Sequence, residues 1–270
     1  MKNIVILSAL YFCLATVFTV QYGCPSSSVA EDNRDFRKWV LEYGLHDRQS
    51  DRQQGTVTIQ LTEYPEVCKW HEKRRYGPHD TETFEVTFDP GTLLPVTYKR
   101  RMRSRDKKKV ISMQLSGRDL TATFREKNGT VSTQKRQLPE DQFIIEPLFK
   151  YYISRAVDTA STGGRLNVVC TLDNEIKIFP VSWELVTTET IEVPAGKFEC
   201  FKLRITSDCW YLKLINNSQH VWLDADGPHY IIRTPLKRGL FTEEMTMTLI
   251  NRRSGKNVKP DDHPTGKHRN

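Results

Sequence analysis

"TIEVPAGKFECFKLRI" (residues 190–205) alternates apolar and polar residues around a single bend at Pro194-Ala195-Gly196. Ile191 and Val193 lead into the bend. Phe201, Leu203 and Ile205 leave it, with Lys202 and Arg204 between them. A two-residue period broken by Pro and Gly reads as a hairpin with one apolar face. The fold depends on what that face meets: a sealed core, a catalytic cleft, or an open trough for an apolar ligand.

The same period extends in both directions. Val57, Ile59 and Leu61 alternate with Thr58 and Gln60, and Phe84, Val86 and Phe88 with Glu85 and Thr87. Val96 and Tyr98 flank Thr97. Ile111, Met113 and Leu115 flank Ser112 and Gln114, and Leu120, Ala122 and Phe124 flank Thr121 and Thr123. Asp89-Pro90-Gly91 and Ser116-Gly117 are turn signals, and Asn128-Gly129 predicts a type I′ hairpin turn. Further strands are expected at 165–171, 175–185, 187–193, 198–206, 209–215, 220–224, 229–234 and 241–250. Two helices are expected. Asp35 to Leu45 places Phe36, Trp39, Val40 and Tyr43 at helical spacing, with Gly44 near its end. Glu146 to Ile153 carries Pro147 at a first helical position. A strongly twisted meander of about ten strands curls rather than staying open. The expected fold is therefore mainly β: a curved antiparallel sheet, or half-barrel, partly wrapped around a central helix.

Lys2 and the uncharged run Ile4 to Val20 form an export-signal pattern. The chain divides into a signal peptide (1–23), a tether with a short helix (24–54), one β-rich half-barrel domain (55–250) and a disordered basic tail (251–270). Cys24, followed by Pro25 and three serines, is a candidate lipid-anchor cysteine; cleavage after Ala30 is the competing reading. The expected location is outside the cytoplasm, in the periplasm or tethered to a membrane. Of six cysteines, Cys68, Cys170, Cys200 and Cys209 remain for the folded domain, either as disulfides or as buried thiols.

Four blocks occur in order: "FDPGTLLPVTYKRR" (88–101), "IIEPLFKYYISRA" (144–156), "ETIEVPAGKFECFKLRI" (189–205) and "VWLDADGPHYIIRTP" (221–235). They resemble the signature blocks of a bacterial envelope family of unknown function, itself similar to the half-barrels of the lipoprotein-localisation (LolA/LolB-like) superfamily. The resemblance implies a concave sheet that shelters acyl chains. It brings no catalytic residues.

Trp183, Phe201, Trp222, Tyr230, Met245 and Met247 are candidates to line an apolar trough, since aromatics and Met adapt to irregular ligands. The run Lys99 to Lys109 holds eight basic residues against one acid. Lys99, Arg100, Arg101, Arg103, Arg105, Lys107, Lys108 and Lys109 could meet an anionic membrane surface or polysaccharide, or form a solvated hairpin tip. Nucleic acid is not an expected partner, because no aromatics interleave the run. Cys68-x-x-His71 has metal-like spacing, but a strand would point the two side chains to opposite faces, so no metal or other cofactor is expected. No nucleophile or phosphate-loop motif is present. The expected function is a non-enzymatic protein that binds or carries a lipid, lipoprotein or similar amphiphile. The alternatives are an envelope interaction module with a self-filled core and a cell-wall enzyme.

Overall fold

The computed structural model describes residues 36–47, 52–105, 107–158, 162–172, 174–207, 219–237 and 244–255. The expected signal, Cys24, the strand at 209–215 with Cys209, and the expected basic tail beyond Gly255 lie outside them. Among the described residues, fifteen strands form one sheet.

The strands are β1 (Arg37–Asp47), β2 (Gln53–Glu63), β3 (Cys68–Arg75), β4 (Thr81–Phe88), β5 (Pro95–Arg103), β6 (Lys108–Ser116), β7 (Asp119–Glu126) and β8 (Val131–Gln137). After β9 (Phe143–Ile145) comes α1 (Phe149–Asp158), then β10 (Gly163–Leu172), β11 (Glu175–Val193) and β12 (Gly196–Ser207). The last three are β13 (Gln219–Asp224), β14 (Ile231–Lys237) and β15 (Glu244–Gly255). Spatial order runs from β8 back through β1, then to β15 and down to β9. All pairs are antiparallel except β9 with β10.

The two outermost strands, β8 and β9, are consecutive in sequence. Laid flat, a sheet this wide would hold its edges about 65 Å apart at normal strand spacing. The link at 138–142 reaches only about 20 Å. The sheet must therefore coil on itself. Contacts across the seam follow: the Gln134 Oε1 accepts from the Ile176 amide at 3.1 Å, and Asn174 bonds Glu126 and Lys109 side chains. The inner face carries the core. Tyr43, Leu45, Val57, Ile59, Phe84, Phe88, Met247 and Leu249 are all buried. Leu148, Tyr151, Ile153 and Val157 anchor α1 inside the curve. The curved antiparallel sheet around one helix is thus the architecture present.

Four local expectations are corrected. Residues 37–47 are not helical: they form β1, which pairs with β2 on one side and β15 on the other. The sheet consequently begins at Arg37 rather than near residue 55, and β15 continues it to Gly255. The helix starts at Phe149, after Pro147 rather than on it. The Asn128-Gly129 turn is not type I′, because only Gly129 has positive φ (85°). Gly129 N bonds Glu126 O and Glu126 N bonds Thr130 O, a three-residue loop with glycine in the left-handed position. The expected strands 175–185 and 187–193 are one strand, β11, with its register shifted between Leu185 and Thr187. At its tip, Val193 pairs with Gly196 around Pro194 and Ala195, as the sequence pattern predicts.

Candidate functional site

Three neighbouring strands put charge on the inner face. In β3, Cys68, Trp70, Glu72 and Arg74 share a face, and all are buried. In β4 the inward set is Glu82, Phe84, Val86 and Phe88. Register places Glu72 opposite Phe84 and Arg74 opposite Glu82. Arg74 donates to Glu72 (2.7 Å), Glu82 (3.2 Å) and Glu146 (3.5 Å). Arg100 from β5 donates through Nε to Glu82 at 2.6 Å and through Nη1 to the Thr171 carbonyl at 2.8 Å. From α1, Lys150 reaches Glu72 at 2.6 Å. The Tyr76 hydroxyl donates to Glu82 and the Trp70 indole to Glu72. The Phe84 ring lies between the Arg74 and Arg100 guanidinium groups, 4.5 and 5.1 Å from its centroid. Three carboxylates and three cations therefore form a balanced layer inside the sheet.

Burial alone would push the Glu72 carboxyl up, but Arg74 and Lys150 overcome it and hold its pKa at about 2. Glu82 is lowered too, burial being outweighed by Arg100 and Arg74. Burial draws Lys150 below its usual range, partly offset by Glu72.

Beside this layer lies an apolar recess of about 340 Å3, bounded by β1, β2, α1 and the β13–β14 turn. Its buried members include Tyr43, Ile59 and Trp70, while Arg37, Arg155, Gly227 and Pro228 are exposed and mark the mouth. Lys150 and Trp70 belong to both recess and ionic layer, so the layer forms part of the recess wall. Glu63 lines the wall and accepts from the Tyr151 hydroxyl at 3.0 Å and the Trp39 indole at 3.4 Å. The β13–β14 turn is shaped by Asp224, whose Oδ1 accepts from the Asp226 amide, and by Gly227 at φ 82°. Tyr230 follows, stacked edge-on to Trp39 at 5.3 Å.

Of the six expected trough residues, the structure places Tyr230 in this wall and the other five elsewhere. Met245 and Met247 are buried in the core on β15, and Trp183 is buried against Gly164. Phe201 packs against His229 at 5.5 Å. Trp222 bonds Glu189 at 2.6 Å and lies under Lys202. Two-residue alternation alone cannot show which part of a curled inner face is filled; the recess lies between α1 and strands β1 and β2.

The basic run also divides. It forms the β5–β6 hairpin, closed by Ser104 N to Lys107 O. Lys99, Arg103, Arg105, Lys107 and Lys108 are exposed. Arg101 pairs with Glu85, and Lys109 bonds Asn174 across the Phe124 ring. Arg100 points inward, because it shares parity with buried Tyr98. It is corrected here from a surface cation to a member of the ionic layer. Cys68, Cys170 and Cys200 are free thiols, Cys68 and His71 sit on opposite faces of β3, and no metal-ligand cluster occurs among the described residues.

A family profile, "Protein of unknown function (DUF3108)", matches residues 54–247. The chain belongs to this family. The match spans the ionic layer, α1 and the β13–β14 turn. It begins after β1, which supplies Arg37, Trp39 and Tyr43 to the recess. Among solved structures, the chain is similar to a β-barrel-like protein of domain of unknown function DUF1849 from Brucella abortus, with TM-score 0.50 and 8% identity over 82% of this chain and 98% of that one. That likeness is one of fold. A second, from Parabacteroides distasonis and titled "a putative lipoprotein", aligns over 82% of this chain and 100% of that one at 11% identity and TM-score 0.27, too low to carry an argument. No curated protein matches the chain.

Proposed function

We propose that this DUF3108 protein is an exported, non-enzymatic binder of amphiphiles, similar in use to the lipoprotein-localisation half-barrels. The observation that carries the reading is the apolar recess, which lies within the usual range for ligand sites of roughly 300–1,000 Å3. Apolar walls with a charged mouth suit a molecule with a chain and a polar head. Burial of the chain drives binding at about 25 cal/mol per Å2, less the cost of ordering it. Register puts the mouth on the rim where β1 begins, and on that rim the β4–β5 turn bears exposed Leu94 and the start of β5 exposed Val96. A membrane surface is the natural source of ligand at such a rim, and Cys24 is the residue proposed to hold the chain there.

Ser154 lines the recess from α1 and is half-buried, so a larger side chain can enter without disturbing the core. Ser154→Trp is expected to lower affinity for a fluorescent acyl probe at least tenfold with little change in thermal midpoint. Undiminished probe binding by this variant would place the ligand elsewhere, and no probe uptake by the native protein would sink the reading. For the anchor, Cys24→Ser is expected to move the protein from the membrane to the soluble fraction of its host; unchanged membrane recovery would reject lipidation at that residue.

A further inference from the structure

We propose that the ligand is a single-chain amphiphile with an anionic head, and that the head is received at the partition formed by Trp39 and Tyr230. This inference rests on the amphiphile-binding reading above and specifies its chemistry.

Size limits the chain. A recess of about 340 Å3 equals roughly eleven water volumes at about 30 Å3 each. A methylene is similar in size to a water, so about ten carbons of a single chain fill the recess.

Charge selects the head. The ionisable wall residues are Arg37, Glu63, Lys150 and Arg155, with Tyr43, Tyr151 and Tyr230. Lys150 is engaged with Glu72 inside the sheet, and Glu63 accepts from Trp39 and Tyr151. Arg37 and Arg155 remain as the exposed charges at the mouth. On the other side of the partition lies a second recess of about 400 Å3, which shares Trp39, Gly227, Pro228 and Tyr230 and adds Asp226, Ser254, Arg252 and Arg253, the last paired with Glu42 at 2.9 Å, so the anion preference rests on Arg37 and Arg155. Arg252 is held by Asp224 at 2.8 Å, so its position is fixed.

Tyr230, which lines both recesses, carries an unspent donor. Tyr230 is only 9% exposed, and its hydroxyl is buried with no hydrogen-bond partner in the protein. Burial, with Glu63 nearby, raises its pKa, so it stays a neutral donor. An unpaired buried hydroxyl is costly to a fold. The hydroxyl is closed to both recesses as the chain stands, so a ligand oxygen reaches it only where the partition yields slightly; a carboxylate or phosphate would then satisfy it most strongly.

The test is titration of the full-length, delipidated protein with decanoate, decyl phosphate, decanol and decyltrimethylammonium below micelle concentrations, read by calorimetry. The native protein should bind the two anions at least tenfold tighter than the cation, and the better of the two names the source class. Tyr230→Phe should weaken anion binding about tenfold while leaving the thermal midpoint unchanged or raising it by about 2–4 °C. A purely structural tyrosine would instead lower the midpoint. Arg37→Gln with Arg155→Gln should erase the preference for anions. Equal affinity for all heads would overturn the anionic-head proposal and leave the apolar recess intact. Failure of every ligand to bind would overturn the underlying function as well.

Discussion

Arg74→Met is expected to cost about 3–5 kcal/mol, a large share of the stability of any single domain. Arg74 is 4% exposed and is the only residue of the layer that touches Glu72, Glu82 and Glu146 together. Methionine keeps the apolar stem but lacks the guanidinium group, so a small void adds to the cost. What is lost is charge: three carboxylates, Glu72 and Glu82 buried and Glu146 partly exposed, then face two cations. The cost is that of leaving buried carboxylates uncompensated, which greatly exceeds the net worth of an intact pair. Urea unfolding at neutral pH measures it, and a loss below about 1 kcal/mol would show that the layer is not the closed network described. The paired variant Arg74→Met with Glu72→Gln restores the balance of two acids and two bases. It should be more stable than the two single losses added together. Simple additivity would mean that Arg74 and Glu72 do not interact.

A balanced ionic layer inside a curled sheet is a poor way to gain stability, since well-packed apolar residues would serve as well or better. Its position suggests what it contributes instead. The layer closes one side of the recess through Trp70 and Lys150 and ties α1 to β3, so that wall of the recess is braced by ion pairs rather than by apolar packing alone. An apolar filling would let α1 settle onto β1 and β2.

The sheet was legible because period-two alternation survives wherever one face is buried. The layer was not, although its signal is present. Continuing the inward parity of Cys68 and Trp70 reaches Glu72 and Arg74. Continuing that of Phe84 reaches Glu82, and that of Tyr98 reaches Arg100. Opposite charges in phase with apolar residues on consecutive strands indicate a buried network. Read as a run, Lys99 to Lys109 hides this, because adjacent residues point to opposite faces. β1 was misread for a different reason. Phe36, Trp39, Val40 and Tyr43 satisfy a helical period, while Trp39, Leu41, Tyr43 and Leu45 satisfy a strand period equally well. Pairing with β2 and β15, which no local pattern contains, decides between them. The recess shares that dependence: Trp39 from β1, Tyr151 from α1 and Tyr230 from a turn meet only after the sheet has curled.

Acid should loosen the fold through Glu72. Its carboxyl titrates near 4.5 ordinarily and at about 2 in the native protein. Between these values the unfolded chain takes up a proton that the native chain refuses, so stability must fall as pH falls. The sign is that of a depressed carboxylate: the contribution is complete above about pH 5 and gone below pH 2. The shift corresponds to about 3 kcal/mol in full, of which about 2 kcal/mol is lost between pH 6 and pH 3. Glu82 is shifted in the same direction and adds to the slope. Glu72→Gln cannot take part. It should be less stable than the native protein at pH 6, because Lys150 and Arg74 lose their partner, yet decline less steeply on acidification, so that the two stability curves converge toward pH 3. Urea midpoints at pH 6, 4.5 and 3 give both curves. Parallel curves would mean that Glu72 already shares its proton with the neighbouring carboxylates, and the layer would then be better described as a coupled acid cluster than as a set of separate ion pairs.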